Sequence, residues 1–424
     1  MKGRGVLVVT IFYRPEANFI TADVARRVAR HEPVTVVCPH PNYPTGRFYP
    51  GTRWWAVRRT VEDGVTVWRV PIFPDHSGSK LRRALHYGSF TAMAALVSAV
   101  VAGRPRAVWI YQTPFTAAVA ALWFKLAFRS RVVLVCADLW PESFVATGVM
   151  RPGPLLNALH ALRRVLNRTA DVVVGSTRGI VDTFAAEGIA RERLRLVRVW
   201  IDGAPRGRDL DAPAGSVVPT TTDDGVPTIV YVGNMGPAQG LEVVVRAAAE
   251  LRRRGAGVRF ALYGFGGAEE ELKALAGSLG AANVVFGGRI GTAEARARSR
   301  AAAAQLVVLR PTPWFRMTVP SKLHFCIGMG TPILCGAEGE AAALARESGG
   351  AFHFDPTDPV SLAGAVERVL ALEPHERAAL RHRLHAFYRE HLDPDRLADE
   401  HAAILGHPDA TPAHANPQTI VHSR

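Results

Sequence analysis

Lysine is nearly missing from this chain. Five of its 51 basic residues are lysines (Lys2, Lys80, Lys125, Lys273 and Lys322), and arginine supplies the rest. Such Arg enrichment beside heavy Ala and Gly usage most economically reflects a GC-rich genome. Cysteine is also scarce: Cys38, Cys136, Cys326 and Cys335 show no CxxC spacing and lie mostly in apolar stretches. That pattern excludes a disulfide framework and a cysteine zinc site, and reads as reduced core residues of a cytoplasmic protein. No run reaches the roughly 18–20 uninterrupted apolar residues of a spanning helix, so none is expected to cross a membrane. The apolar run after Met1 is too short for a signal peptide and reads as a first strand. Acidic residues number 37, leaving a net charge of +14 and a pI near 10.3. A basic balance suits nucleic acid, an anionic membrane surface or phosphorylated substrates. With no zinc spacing, basic-region helix or RNA-recognition pattern, nucleic acid is set aside as a partner.

At 424 residues, with 48% hydrophobic and 21% charged residues, the chain is foldable and long enough for two domains. Apolar strands alternate with helical stretches, the pattern of a doubly wound α/β sheet. Strands are expected at 6–12, 34–38, 65–70, 107–111, 132–136, 172–175 and 194–199. The alternation restarts at 228–233 and continues at 258–263, 284–286, 306–309 and 332–335. The polar, Pro- and Gly-rich stretch 203–227 reads as a linker between a first domain at 1–202 and a second at 228–372. Helices within 373–405 follow, to be tested for packing back on the first domain, and a tail at 406–424 reads as disordered. Two doubly wound domains place a cleft outside the carboxyl ends of their strands, the preferred ligand position in such sheets.

Two stretches carry candidate chemistry. In Pro320-Ser321-Lys322, Pro320 fits a first helical turn, and Ser321 and Lys322 lie where free backbone N–H groups attract anions. In Tyr231-Val-Gly-Asn-Met-Gly-Pro-Ala-Gln-Gly240, Gly233 and Gly236 let the backbone approach a ligand, and Gln239 and Gly240 open a helix. Both are equally readable as structural strand–helix turns, since neither is GxGxxG or a P-loop.

Taken together, these stretches resemble the retaining glycosyltransferases of family 4, which have the two-domain GT-B fold. The likeness is to the subgroup with colanic-acid and O-antigen fucosyl or fucosaminyl transferases. It runs through Tyr13-Arg-Pro-Glu16, Pro39-His-Pro-Asn-Tyr-Pro-Thr-Gly46, Asp138-Leu-Trp-Pro-Glu-Ser143, Gly233–Gly240, Pro320–Lys322 and Gly339–Ala342. The resemblance implies a nucleotide-sugar donor of UDP or GDP type held by the second domain, an acceptor held by the first, and no cofactor or metal. The donor residues it implies are Gly233, Asn234, Gln239, Gly240, Arg310, Ser321 and Lys322. Family members commonly carry a basic pair at the places of Asn234 and Gln239, and two glutamates at those of Met317 and Phe325. Lys322 and backbone N–H groups would then carry the diphosphate, and Glu338 or Glu340 the ribose. On the acceptor side stand Glu16, Asn18, His40 and Asp138, with Asp138 and Lys322 the catalytic candidates. Asp138 is equally readable as a helix N-cap ahead of Pro141.

A basic, aromatic stretch with Arg47, Arg53, Trp54, Trp55, Arg58 and Arg59 suits a membrane interface. Apolar helices at 89–102 and 115–128 add to it, although core helices look much the same. The resemblance and these stretches together point to a cytoplasmic enzyme, peripheral on the inner face of the plasma membrane. It would move a sugar to a glycan or lipid-linked acceptor in surface-polysaccharide assembly. A catalytically impaired binding partner and a nucleotide-sugar epimerase are the alternatives.

Overall fold

In the computed structural model, residues 5–16, 20–43, 45–76, 79–142, 145, 150–200, 204–210 and 225–406 are described. Asn18, the greater part of the expected linker and the tail beyond 406 lie outside them. The chain divides into two compact units, Met1–Asp202 with Pro394–Arg424, and Gly203–Asp393.

The first unit holds β1 (Val6–Val9), β2 (Val34–Pro39), β3 (Arg58–Glu62), β4 (Val65–Val70), β5 (Ala107–Tyr111), β6 (Arg131–Cys136), β7 (Val172–Gly175) and β8 (Leu194–Leu196). Their order is β3-β4-β2-β1-β5-β6-β7-β8, parallel except for β3. Val-rich runs such as Val6-Leu-Val-Val9 are buried throughout, as central strands covered by helices on both faces require. The order reverses between β1 and β5, the position beside which ligands bind in such sheets. Strand β3 was not expected from sequence. Four of its five residues are polar and the one apolar residue, Val61, faces solvent, so no alternation marks it. A two-residue Asp63-Gly64 turn, both at positive φ, folds it onto β4 with Glu62 opposite Val65. Arg58 and Arg59, read from sequence as part of a membrane-facing stretch, are thus residues of a sheet edge.

The last helix, Pro394–Ile404, belongs to this unit and packs on the helix Ile20–Ala29. Arg27 donates to the Asp399 carboxylate at 2.7 Å and to the Asp395 carbonyl at 3.1 Å. Its buried His401 lies against the rings of Trp109 and Trp200, and burial lowers the imidazole pKa to about 3, so it stays neutral.

The second unit holds β9 (Thr228–Asn234), β10 (Arg259–Phe265), β11 (Val284–Gly288), β12 (Ala304–Val308), β13 (Ile333–Gly336) and β14 (Ala351–His353). All are parallel, in the order β11-β10-β9-β12-β13-β14, reversing between β9 and β12. The short β14 was also missed, three residues being too few to show a period. The helix Pro374–His391 stays with this unit: Leu380, Leu384 and Tyr388 pack with Leu323 and Ile327 of the helix Ser321–Met329. The Tyr388 hydroxyl donates to the Pro205 carbonyl at 2.8 Å, tying the start of the expected linker to the same unit.

All four cysteines are free and buried. Among the described residues, Leu81–Val101 is long and apolar enough, by composition, to cross a membrane. Its Tyr, Gly, Ser and Thr residues interrupt an apolar run without bringing charge, so counting uninterrupted residues missed it. Leu397, which is buried, anchors the last helix. Leu397→Ala is expected to destabilise the first unit by about 3 kcal/mol in urea unfolding.

Candidate active site

The second unit gathers its candidates at the carboxyl ends of β9 and β12. Tyr231, fully buried on β9, donates its hydroxyl to the Asn234 carbonyl at 2.5 Å and to Gln239 Oε1 at 3.3 Å. Lys322, in the first turn of Ser321–Met329, lays its Nζ over the Tyr231 ring at 3.7 Å and donates to Gln239 Oε1 at 3.0 Å. Gly233 makes room for it: with φ at +153, a Cβ there would lie 3.0 Å from Nζ. Among the described residues no carboxylate pairs with this ammonium. Burial therefore pushes its pKa down to about 7, relieved slightly by Cys326. Pro320 is the N-cap, one place earlier than expected, and leaves the first-turn N–H groups of Ser321 and Lys322 clear of a side-chain cap.

Two neighbouring arginines, Arg310 and Arg316, are already paired with glutamates. Arg310 donates to the Pro237 carbonyl and to Glu242 Oε1, both at 2.5 Å, while its backbone N–H reaches the Ala238 carbonyl at 3.0 Å. It braces the Gly-rich turn, and Gly240, at φ +62, sits against its side chain. Arg316 donates to Glu338 at 2.7 Å, so Glu338 spends its charge locally. Glu340 lies in the first turn of the next helix, Gly339–Glu347. Asn234 is exposed, Ser321 is exposed, and Phe325 is buried in its helix, with Met317 at the end of a short 3-10 turn.

Two features here were not read from sequence. Gly264 of β10, at φ +133, touches the Gly233 carbonyl so closely that any side chain would strike it. Beside it the exposed Phe265 ring carries the Arg289 guanidinium 4.1 Å above its centroid. The sequence signal was Gly264-Phe-Gly-Gly267 at the end of an expected strand.

In the first unit, Glu16 is buried and accepts from the backbone N–H of Asn42 at 2.5 Å and of Tyr43 at 2.8 Å. It holds one resembling stretch against another rather than facing a ligand. His40 is buried too, and donates Nε2–H to the Ala56 carbonyl at 2.8 Å. The acceptor contact expected of His40 is thus replaced by a loop-holding bond. Asp138, just beyond β6, is exposed. The protein packed around it raises its carboxyl pKa above the ordinary value, although the residue keeps an open surface.

Beneath that loop lies Arg163, 1% exposed. It donates to the Trp140 carbonyl at 2.7 Å and Glu142 Oε2 at 2.5 Å, and pairs with Glu187. Glu142, His160 and Glu187 are close enough together to suit a cation, and Arg163 already supplies their positive charge. In the sequence Arg163 is one arginine among many. Its helical spacing from the buried Leu156, Leu166 and Asn167 places it on the inward face. Arg163→Met strands two part-buried carboxylates, and is expected to cost about 3 kcal/mol in urea unfolding, recovered in part by adding Glu187→Leu.

Comparison with known proteins agrees with this geometry. Residues 17–200 match the family described as Glycosyl transferase 4-like domain, and residues 226–371 match Glycosyl transferases group 1. The putative colanic acid biosynthesis glycosyl transferase WcaI of Escherichia coli (strain K12) is 29% identical over 293 residues, covering 66% of this chain and 70% of the relative. The probable glycosyltransferase WbjE of Pseudomonas aeruginosa is 27% identical over 286 residues, covering 65% and 68%. Among solved structures, Anabaena Alr3699/HepE in complex with UDP superposes with a TM-score of 0.67 at 14% identity, over 95% of this chain and 99% of that one. WaaG, a glycosyltransferase involved in lipopolysaccharide biosynthesis, superposes with a TM-score of 0.64 at 15% identity, over 95% and 99%. The chain belongs to the family 4 glycosyltransferases and is an enzyme of the GT-B fold.

Proposed function

We propose that this glycosyltransferase takes its sugar from a UDP- or GDP-linked donor held by the second unit. It passes the sugar, with retention, to a glycan or lipid-linked acceptor held by the first, in surface-polysaccharide assembly on the inner face of the plasma membrane. The observation that carries the reading is Lys322: a half-buried ammonium without a counter-charge, at the strand ends where such sheets bind ligands. A diphosphate supplies the missing negative charge and accepts from the first-turn N–H groups of the same helix. The developing charge on the departing phosphate is stabilised in the same way. The Phe265–Arg289 plate at the ends of β10 and β11 offers a flat surface for the base. Asp138, open to water just beyond β6, is the candidate to orient an acceptor hydroxyl or take its proton. No metal or cofactor enters the scheme. The names of WcaI, with its colanic acid role, and of the UDP complex of HepE support the pathway and the donor class.

Met317 and Phe325, which cannot accept from a ribose hydroxyl, favour a second reading as a sugar-nucleotide-binding protein without transfer. Incubating the chain with UDP- and GDP-sugars and a membrane lipid extract, then assaying free nucleotide and glycosylated lipid, decides between them. Turnover with any donor supports transfer, and bound donor without turnover supports the second reading.

Lys322 also predicts a pH profile. Its pKa near 7 in the free protein rises once a diphosphate is bound. Below pH 7 the ammonium is already charged and affinity is full. As pH rises through 7 a proton must be taken up on binding, so affinity for UDP falls. Calorimetric titration of Lys322→Met at neutral pH is expected to show UDP binding about 10- to 100-fold weaker. The fall in affinity above pH 7 disappears in the same variant.

A further inference from the structure

Three helices of the first unit, Lys80–Val101, Val119–Phe128 and Pro154–Thr169, lie side by side and contain no aspartate or glutamate. From Ala84 to Gly103 the only ionisable side chains are His86 and Tyr87, and burial lowers the pKa of the one and raises that of the other. Apolar side chains stand outward on this ground. Leu81, Leu85, Leu96 and Val100 follow one stripe of the first helix, and Val100 is 77% exposed. Trp123 and Leu126, the latter 83% exposed, continue it on the second helix, and Leu155 and Val165 on the third. At the borders stand Arg129, Arg151 and Arg164, exposed and without an acidic partner among the described residues.

We propose that this three-helix face docks the enzyme on an anionic lipid bilayer, with the helix Lys80–Val101 lying in the plane of the interface. The proposal deepens the membrane-surface part of the reading above and rests on it. Three observations choose the occupant. The outward apolar residues run across three neighbouring helices rather than standing singly on the surface. Asp75 and Asp171 at its borders are already paired with Arg82 and Lys125, and the rim charges left over are arginines, so a second copy of the same face would bring arginine to arginine, whereas acidic headgroups are complementary. Crossing the bilayer is excluded by the inner side of the long helix. Phe90 and Ala94 are fully buried and Val97 nearly so, and the helix packs over β2 and β4. Pulling it into hydrocarbon would strip the sheet it covers. The exposed stripe alone enters the acyl boundary, a few ångströms deep, as interfacial helices do.

Flotation of the full chain with vesicles tests this. Wild type is expected to float with vesicles of phosphatidylglycerol and phosphatidylcholine in equal parts, and far less with phosphatidylcholine alone. Alkaline carbonate is expected to release it. Leu96→Glu with Leu126→Glu is expected to lower vesicle affinity at least about ten-fold. Arg129→Glu with Arg164→Glu, which keeps the apolar ground intact, removes the preference for the anionic lipid. Leu279→Glu with Val360→Glu, on exposed apolar positions of the second unit, changes nothing. All these variants should melt cooperatively and bind UDP as wild type does, which separates failure of this proposal from failure of the donor reading. The proposal is overturned if wild type ignores anionic vesicles, if the apolar pair floats unchanged, or if carbonate leaves the chain embedded. It is equally overturned if the wild type is a dimer that the apolar pair dissociates, since a second copy then covers the face.

Discussion

A half-buried cation with no carboxylate beside it among the described residues is the constraint around which the second unit is arranged. Lys322 costs free energy where it lies, because desolvation disfavours the ammonium and no carboxylate repays it. The surrounding sequence makes that position tenable. Tyr231 offers the face of its ring, Gln239 an oxygen, and Gly233 the space. Gly264 then follows from Gly233, since the two strand ends touch there. Arg310 and Arg316, in contrast, have been given their own glutamates and hold the chain rather than a ligand. Beside the turn that Arg310 and Arg316 brace, Lys322 is left without a carboxylate among the described residues, while Arg289 lies on the Phe265 ring at the neighbouring strand ends.

The first unit uses the opposite arrangement for a different purpose. Arg163 is nearly inaccessible, but two carboxylates balance its charge, the Trp140 carbonyl takes a further N–H, and the Phe184 ring packs 5.6 Å from it. Its role is to fix the loop that carries Asp138. Glu16 does the same for the stretch after β2 through two backbone N–H groups. Burial alone thus does not distinguish a functional charge from a scaffolding one; whether the charge is satisfied does.

That distinction also explains what the sequence could and could not disclose. The doubly wound sheets were legible because Val-rich runs recur at regular intervals, and the glycosyltransferase family because several short stretches match in order. Lys322 stood out because lysine is so rare here. Glu16 and His40 were expected at the acceptor side, and the loop-holding bonds they make depend on partners some 16 to 27 residues away, which no local pattern encodes. Arg163 was hidden among 46 arginines, and only its helical register shows that it points inward. Strand β3 was hidden by its polarity, although its Asp63-Gly64 turn is a strong hairpin signal. The three-helix face was visible as apolar helices, but only the fold shows which sides are left uncovered.

With five lysines in the chain, the charge state of Lys322 can be observed directly. Lysine labelled at the ε-carbon, assigned through Lys322→Arg and followed by NMR across pH, reports its titration. The account predicts one resonance titrating near 7 in the free protein and moving to a clearly higher pKa when UDP is added. A Lys322 resonance that titrates in the ordinary lysine range, about 10.4, with or without nucleotide, contradicts it.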